Sequence, residues 1–209
     1  MNKIKICTPV MGKTLEEFLK NLDQVQEVSE MVELRVDKIK NLSKKDLILI
    51  RKRTKKEVIF TSRQREIILK ALNLGFNYVD VELSLISELN LPKRGKNKII
   101  LSFHDFEKTP NIQDLTTIVS RMRKCNVGIS KIATVVNNDQ DIKNLLLILL
   151  NKKKDEKIIV VGMGEKGKIT RILGPLLGSF LTFASTPFGK TAQGQINITK
   201  LKKIYQLIN

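Results

Sequence analysis

The sequence predicts a single α/β domain folded as a closed (β/α)8 barrel, or TIM barrel, and three observations support this. Short β-branched runs alternate with longer helical patterns, as repeated βα units require. About eight such units follow one another, roughly 25 residues apart, which fits a closed parallel barrel better than an open doubly wound sheet. The 209 residues contain no low-complexity linker or break in composition, so we expect one domain over residues 1–209.

Eight strands are expected where short apolar runs are rich in β-branched residues. They lie near Lys3–Pro9, Met31–Asp37, Glu57–Arg63, Tyr78–Leu83, Lys98–Phe106, Ser130–Val136, Lys157–Gly164 and Leu181–Thr186. Helices are expected between them, most clearly over Thr14–Ser29, Lys44–Thr54, Asn111–Cys125, Asp139–Asn151 and, as the last helix, Lys200–Leu207. Polar side chains that can accept from free backbone N–H groups mark the helix starts, which makes Thr14, Ser43, Asn111 and Asp139 the predicted N-caps.

The chain is strongly basic, with 38 Lys and Arg against 21 Asp and Glu and a formal net charge of +17. The basic residues are spread from Lys3 to Lys203, aromatic residues make up only 5% and Trp is absent. Stacking platforms for single strands are therefore scarce, and no zinc-finger or RNA-binding signature is present. We expect no nucleic-acid partner, and interpret the charge as a solvated Lys-rich surface that can also steer an anionic small molecule.

Several features predict a cytoplasmic protein. Cys7 and Cys125 are too few and too far apart for a disulfide framework or a metal site, so a reducing compartment is expected. The apolar stretch after Lys5 is broken by Thr8 and Pro9, unlike a signal peptide. The longest apolar run, Leu145–Leu150, is too short to cross a bilayer, and we expect no membrane partner.

Polar residues alternate with apolar ones near the ends of several predicted strands. In a (β/α)8 barrel the carboxyl ends of the strands form the active site, so side chains of matching parity should meet there. The residues in question are Glu33, Arg35, Asp37, Thr61, Arg63, Asp80, Glu82, Ser102, His104 and Lys131. They predict a ring of charge where a core would otherwise be apolar.

Lys131 lies in an otherwise apolar strand, Ile129–Val136. If it faces inward, desolvation should lower its pKa and free the amine to attack a carbonyl. If it lies at the edge of the strand, its amine reaches solvent and has no such role. Periodicity alone leaves both interpretations open.

His104 is the single histidine of the sequence and lies where a strand ends and a loop begins. Histidine titrates near neutrality, so it suits proton transfer during an elimination next to a carbonyl. A lone histidine is often structural, but its place on the strand before Lys131 favours a functional role.

Two glycine-containing segments need separate interpretation. Residues Gly162–Gly167 match G-x-G-x-x-G, but no acid follows Glu165 to bind a ribose, so a glycine-rich turn is favoured over a dinucleotide site. Arg171, shortly after, can grip a carboxylate at two points. Residues Lys190–Gln195 follow the eighth strand and are either a loop that closes over a ligand or an ordinary connector.

Taken together, these residues resemble the type I 3-dehydroquinate dehydratases, the third enzyme of the shikimate pathway. The resemblance covers nearly the whole chain in order, through Glu33–Asp37, Phe60–Arg63, Asp80–Glu82, Ser102–Phe106, Lys131, Gly162–Gly164, Thr170–Arg171 and Gly194–Gln195. One such motif would be weak evidence, whereas the ordered set on successive strands is specific.

The resemblance implies a lyase that dehydrates 3-dehydroquinate to 3-dehydroshikimate through a Schiff base. Lys131 would form an iminium with the ring ketone, and His104 would remove the neighbouring proton and help expel the ring hydroxyl as water. Hydrolysis would then release the product, with no metal or cofactor. The implied substrate contacts are Glu33, Arg35 and Arg63 on the hydroxyl side and Arg171, Gln195 and Thr191 (where the family commonly has Ser) at the carboxylate. The resemblance also implies a homodimer.

The sequence departs from the family pattern in two places. The family usually has an acid and two glycines after the third-strand Arg, whereas Arg63 is followed by Gln64-Arg65-Glu66-Ile67. The sequence therefore leaves open which acid orients His104. Glu66, displaced by one position from the acid of the family pattern, is a candidate. Gln193 stands where the family usually has Pro, which should leave the loop less pre-ordered.

Two other functions remain to be tested. One is a class I aldolase acting on a sugar phosphate, which would use the same lysine chemistry. The other is an inactive barrel kept as a basic binding module, although Lys131 and His104 are both present. An assay with 3-dehydroquinate, followed by mass spectrometry after borohydride, distinguishes all three.

Overall fold

The computed structural model describes residues 3–89, 96–188 and 192–208. Nine parallel strands alternate with helices along these ranges. The strands are β1 Ile6–Val10, β2 Met31–Arg35, β3 Glu57–Thr61, β4 Tyr78–Glu82, β5 Ile99–Asp105, β6 Ile129–Val135, β7 Ile158–Met163, β8 Thr182–Ser185 and the short β9 Ile196–Asn197. The α-helices are α1 Leu15–Val28, α2 Lys44–Arg53, α3 Arg65–Leu72, α4 Ile112–Lys124, α5 Asp139–Leu150, α6 Lys168–Leu176 and α7 Ile198–Ile208.

The sheet has the strand order of a (β/α)8 barrel, which confirms the predicted fold class. Neighbouring strands follow the order β7-β6-β5-β4-β3-β2-β1-β8-β9, and all of these pairs are parallel. The backbone N–H of Phe180, just before β8, donates to the carbonyl of Ile158 in β7 at 2.8 Å. This contact closes the barrel between β7 and β8, so the carboxyl ends of all eight barrel strands lie around one rim.

Three of the four predicted N-caps are confirmed. Thr14, Ser43 and Asn111 each accept a backbone N–H from the first turn of the following helix. The fourth prediction, Asp139, is wrong, because Asn138 caps α5 in a reciprocal capping box with Asp141. Asp139 instead occupies the first helical position.

The predicted strands were extended too far at the mouth of the barrel. Strand β2 ends at Arg35 because Val36–Lys38 turn into a 3-10 helix, and β3 ends at Thr61. Asp37 and Arg63 therefore follow their strands rather than belonging to them. Among the described residues, β4 is followed by the 3-10 turn Leu83–Leu85 and not by the α-helix that a regular repeat predicts.

The apolar residues form two layers that place the polar rim. The larger core lies between the sheet and the helices and includes Phe18, Leu22 and Phe60. A second cluster fills the barrel interior, with Cys7, Met31, Ile59, Ile100, Ile129, Ile159, Leu181 and Phe183. These inner residues lie mostly toward the starts of the strands, so the inward polar residues that follow them stand above a solid apolar floor.

The glycines of the G-x-G-x-x-G segment are explained by packing. Gly164 has φ +83°, and a Cβ on Gly167 would lie 2.5 Å from the carbonyl carbon of Gly162. Gly194 has φ +76°, and a Cβ there would lie 2.1 Å from the Gly164 carbonyl oxygen. The segment is thus a tight turn, as predicted, and Gly194 packs closely on it.

No helix in the described ranges combines the length and the apolar character needed to cross a membrane.

Candidate active site

Polar side chains of β2 to β6 meet inside the mouth of the barrel. In the strand register Glu82 lies beside Ser102, and Ser102 lies beside Lys131. His104 is two residues beyond Ser102, so it shares the inward face and stands nearer the rim. The predicted ring of charge is therefore present on these strands.

Lys131 faces inward, which decides between the two interpretations of this residue. It is 6% exposed. Its Nζ donates to Asp80 Oδ2 at 2.8 Å and lies 5.1 Å from the centroid of the Phe183 ring. The amine is thus held between a carboxylate and an aromatic face.

The expected lowering of the Lys131 pKa is wrong. Burial does lower the pKa, but the charges of Asp80 and Glu33 and the hydrogen bond to Asp80 outweigh it, so the pKa is raised. The resting residue is an ammonium, and it must lose a proton before it can attack a carbonyl.

Asp80 belongs to the predicted ring of charge, but no individual role was predicted for it. Burial would raise its pKa, but Lys131 and His104 lower it overall, together with hydrogen bonds from Lys131 and Ser102. Ser102 Oγ donates to Asp80 Oδ1 at 2.5 Å. The alternation of polar and apolar residues on β4 predicted that Asp80 faces inward. Its pairing with Lys131 of β6 could not be predicted from the sequence.

His104 is held by Glu82. Glu82 Oε2 lies 2.6 Å from His104 Nδ1, and Oε1 accepts the His104 backbone N–H at 3.2 Å. The imidazole also stacks on Phe106, with ring centroids 5.8 Å apart and planes 5° apart. Glu66, the candidate from the sequence, is an exposed residue of α3, so the contact that orients His104 comes from Glu82.

The residues predicted for the hydroxyl side of a substrate are only partly brought together. Buried Glu33 accepts a hydrogen bond from Thr61 Oγ1 at 2.9 Å. Arg35 pairs with Asp37 at two points, 2.8 and 2.9 Å. Burial lowers the pKa of Arg35, but Asp37 and Glu33 raise it overall. Arg63 follows the end of β3 and is exposed.

Arg171 lies in helix α6. It is 1% exposed. Its backbone carbonyl accepts from Tyr205 Oη at 2.6 Å and Thr182 Oγ1 at 3.0 Å, and its Nη1 donates weakly to the Phe183 carbonyl at 3.4 Å.

Two guanidinium nitrogens of Arg171 have no acceptor in the described part of the chain. These are Nε and Nη2, and both are buried. Burial lowers the pKa of Arg171 to about 10. A buried cation with two unsatisfied donors is suited to an anionic ligand with two acceptor atoms.

The loop before β9 contributes one described residue of the predicted set. Gln195 is 8% exposed, and its Oε1 accepts from the Ala192 backbone N–H at 3.4 Å. Thr191 lies outside the described residues. Within the described ranges, no group of three or more His, Cys, Asp or Glu residues is arranged to hold a metal ion.

Comparison with known proteins finds relatives of both the sequence and the fold. A family profile described as type I 3-dehydroquinase matches residues 6–209. The 3-dehydroquinate dehydratases of Coxiella burnetii and Methanocaldococcus jannaschii are each 38% identical to this chain. These matches cover 99% and 98% of this chain and 94% and 99% of the two relatives.

Solved structures agree with the sequence relatives. The 3-dehydroquinate dehydratase from Geobacillus kaustophilus has a TM-score of 0.85 at 20% identity, covering 99% of this chain and 91% of its own. The enzyme of the same name from Aquifex aeolicus has a TM-score of 0.80 at 28% identity and covers 98% of both chains.

Proposed function

The chain belongs to the type I 3-dehydroquinase family, whose members dehydrate 3-dehydroquinate in the shikimate pathway, and we propose that it does so through a Schiff base on Lys131. The observation that carries this proposal is the buried Lys131 amine beside Asp80, with the His104–Glu82 pair above it at the barrel mouth. This combines a nucleophile and a proton carrier on neighbouring strands.

The first step uses the amine of Lys131. Once Lys131 has lost its extra proton, it adds to the ring ketone, and loss of water gives an iminium. The iminium withdraws electrons, which makes the neighbouring C–H acidic. Glu82 contacts Nδ1 of His104 and therefore favours the tautomer with its proton on Nδ1. Nε2 is then unprotonated, and it takes the proton from the substrate.

The second step returns that proton. The enamine expels the ring hydroxyl, which leaves as water with the proton from His104. This restores a cationic, now conjugated, iminium. Hydrolysis then releases 3-dehydroshikimate and regenerates Lys131.

The substrate carboxylate binds at Arg171 in this proposal. Its two oxygens match the two unsatisfied donors of the guanidinium. The family resemblance adds Gln195 and Thr191 as further contacts to the carboxylate. Glu33, Arg35 and Arg63 hold the hydroxyl side, where a carboxylate and two guanidinium groups can bond several ring hydroxyls.

Borohydride trapping tests the proposal directly. With 3-dehydroquinate present, reduction should add one ligand mass to the peptide that contains Lys131, and Lys131→Met should abolish both the adduct and turnover. An adduct on another lysine, or normal turnover in Lys131→Met, overturns the assignment. A sugar phosphate that is turned over in place of 3-dehydroquinate indicates the aldolase instead.

We also propose that residues 1–209 form one catalytic domain, which acts on a small molecule in the cytoplasm. It would need no metal or cofactor and would bind neither nucleic acid nor membrane. The two free cysteines suit a reducing compartment. The family resemblance supports a homodimer, which light scattering on the purified chain checks, and undiminished turnover in a chelator checks the independence from metal.

A further inference from the structure

We infer that the ring of Phe183 stabilises the cationic iminium on Lys131 through a cation–π contact. This inference rests on the proposed Schiff-base function, because it concerns the charge on the nitrogen of Lys131 during the reaction. It assigns Phe183 a part in the chemistry beyond filling the barrel interior.

The geometry places the aromatic face against the reacting atom. Lys131 Nζ lies 5.1 Å from the centroid of the Phe183 ring, within the roughly 6 Å over which a ring attracts a cation. Phe183 is 6% exposed and Lys131 is equally buried. Water therefore screens the contact little, which is the condition under which cation–π attraction is strongest.

The backbone fixes the ring in place. Phe183 lies in β8, which pairs with β1 and β9. Its Cα is in register with that of Cys7 in β1, and both side chains belong to the inner cluster. Its carbonyl accepts from Arg171 Nη1. Phe183 therefore contacts both Lys131 and Arg171, the residue proposed to bind the substrate carboxylate.

The chemistry explains why a ring is useful beside Asp80. The resting ammonium has three N–H donors, whereas the iminium nitrogen carries one hydrogen and the positive charge. Formation of the iminium from the ammonium and the ketone releases one water and leaves the net charge unchanged, because the two protons that nitrogen loses leave with the ketone oxygen. Two of the three donors are lost, and hydrogen bonding to Asp80 weakens accordingly. The attraction to the ring face needs no N–H group, so it persists in each cationic state.

The effect is selective among intermediates. The free amine, the carbinolamine and the enamine are neutral at nitrogen, whereas both iminium states are charged. The ring therefore raises the population of iminium relative to the neutral states, whereas the resting ammonium, which is also a cation, is attracted to the ring as well. The quantity to measure is this population, because turnover also includes steps through the neutral enamine.

A fluorination series tests the inference. Phe183 is replaced by its 4-fluoro, 3,5-difluoro and 3,4,5-trifluoro forms, which keep the shape of the ring but progressively weaken the negative potential of its face. Cyclohexanone, a small uncharged ketone, is added with cyanoborohydride, which reduces iminium but not ketone. The trapping is run at a pH high enough for resting Lys131 to be the free amine, so that at low ketone the rate of adduct formation is proportional to an iminium population formed from a neutral state. We expect the trapping rate to fall about twofold for each added fluorine. Phe183→Leu should be trapped at about the rate of the trifluoro form.

Phe60 provides the matched control. It is fully buried in the outer core, where it packs on Phe76, and the same fluorinated residues there should leave the trapping rate unchanged. A flat series at Phe183, or an equal slope at Phe60, overturns the inference. If the trifluoro form folds poorly, the first two members still give the slope. No adduct on Lys131 with 3-dehydroquinate and borohydride in the unmodified protein would reject the proposed function instead, so the two failures are distinguishable.

Discussion

At the scale of single residues, the resting Lys131 is a cation paired with Asp80. The charges of Asp80 and Glu33 raise its pKa although burial lowers it. Reductive trapping with a small ketone should therefore accelerate with rising pH through the alkaline range. In Asp80→Asn the main compensating charge is lost, burial dominates, and the profile should move to lower pH. An unchanged profile in this variant would mean that Asp80 does not control the proton on Lys131.

Glu82 and Glu66 are two candidates for the acid that supports His104, and they can be compared directly. His104→Ala should lower kcat by a factor on the order of 10² to 10⁴, the usual range for acid–base groups. Glu82→Gln should lower kcat by about tenfold or more, because the imidazolium formed in the reaction loses an adjacent negative charge. Glu66→Gln should behave like the unmodified protein. Steady-state kinetics across pH decide between the two, and the reverse pattern would restore Glu66.

Arg171 and Gln195 should differ in their contributions to substrate binding. Arg171→Ala leaves the substrate carboxylate without its buried partner, which costs several kcal/mol and should raise KM strongly. Gln195→Ala removes a neutral hydrogen bond of roughly 0.5–1.5 kcal/mol and should raise KM only a few-fold. Trapping of cyclohexanone on Lys131 should continue in both variants. Equal, small changes in KM would place the carboxylate elsewhere.

At the scale of elements, the sequence was most informative where the hydrophobic pattern is regular. All eight barrel strands and five helices were found near their predicted positions, because each must bury one face. The errors lie at the strand ends on the mouth, where polar residues such as Asp37 and Arg63 continue the alternation after the strand has ended. Contacts between strands were not predictable, since the Asp80–Lys131 and Glu82–His104 pairs depend on register and on rotamers.

Helix α6 is held in position by hydrogen bonds from neighbouring elements. Tyr205 of α7 and Thr182 of β8 both donate to the carbonyl of Arg171, which sets the position of the helix that carries the guanidinium. Tyr205→Phe should lower stability by about 1 kcal/mol, or roughly 2–4 °C in Tm for a chain of this size. KM should change little, because Thr182 still holds the carbonyl.

The double variant Tyr205→Phe with Thr182→Val separates support from binding. It leaves the buried carbonyl of Arg171 without either side-chain donor, so the loss of stability should exceed the sum of the single losses. We also expect KM for 3-dehydroquinate to rise, while trapping of cyclohexanone stays the same. If the losses of stability are additive and KM is unchanged, these two contacts do not position Arg171.

At the scale of the whole molecule, we expect the net charge of +17 to attract an anionic substrate before any contact forms. Attraction of this kind raises encounter rates, and dissolved salt weakens it, since the screening length falls from roughly 30 Å at 0.01 M to 3 Å at 1 M. The kcat/KM for 3-dehydroquinate should therefore fall several-fold as salt rises across this range. Cyclohexanone has no charge, so its trapping rate on Lys131 should stay constant and control for effects of salt on the fold. A kcat/KM that does not respond to salt would show that the lysine-rich surface has no part in capturing the substrate.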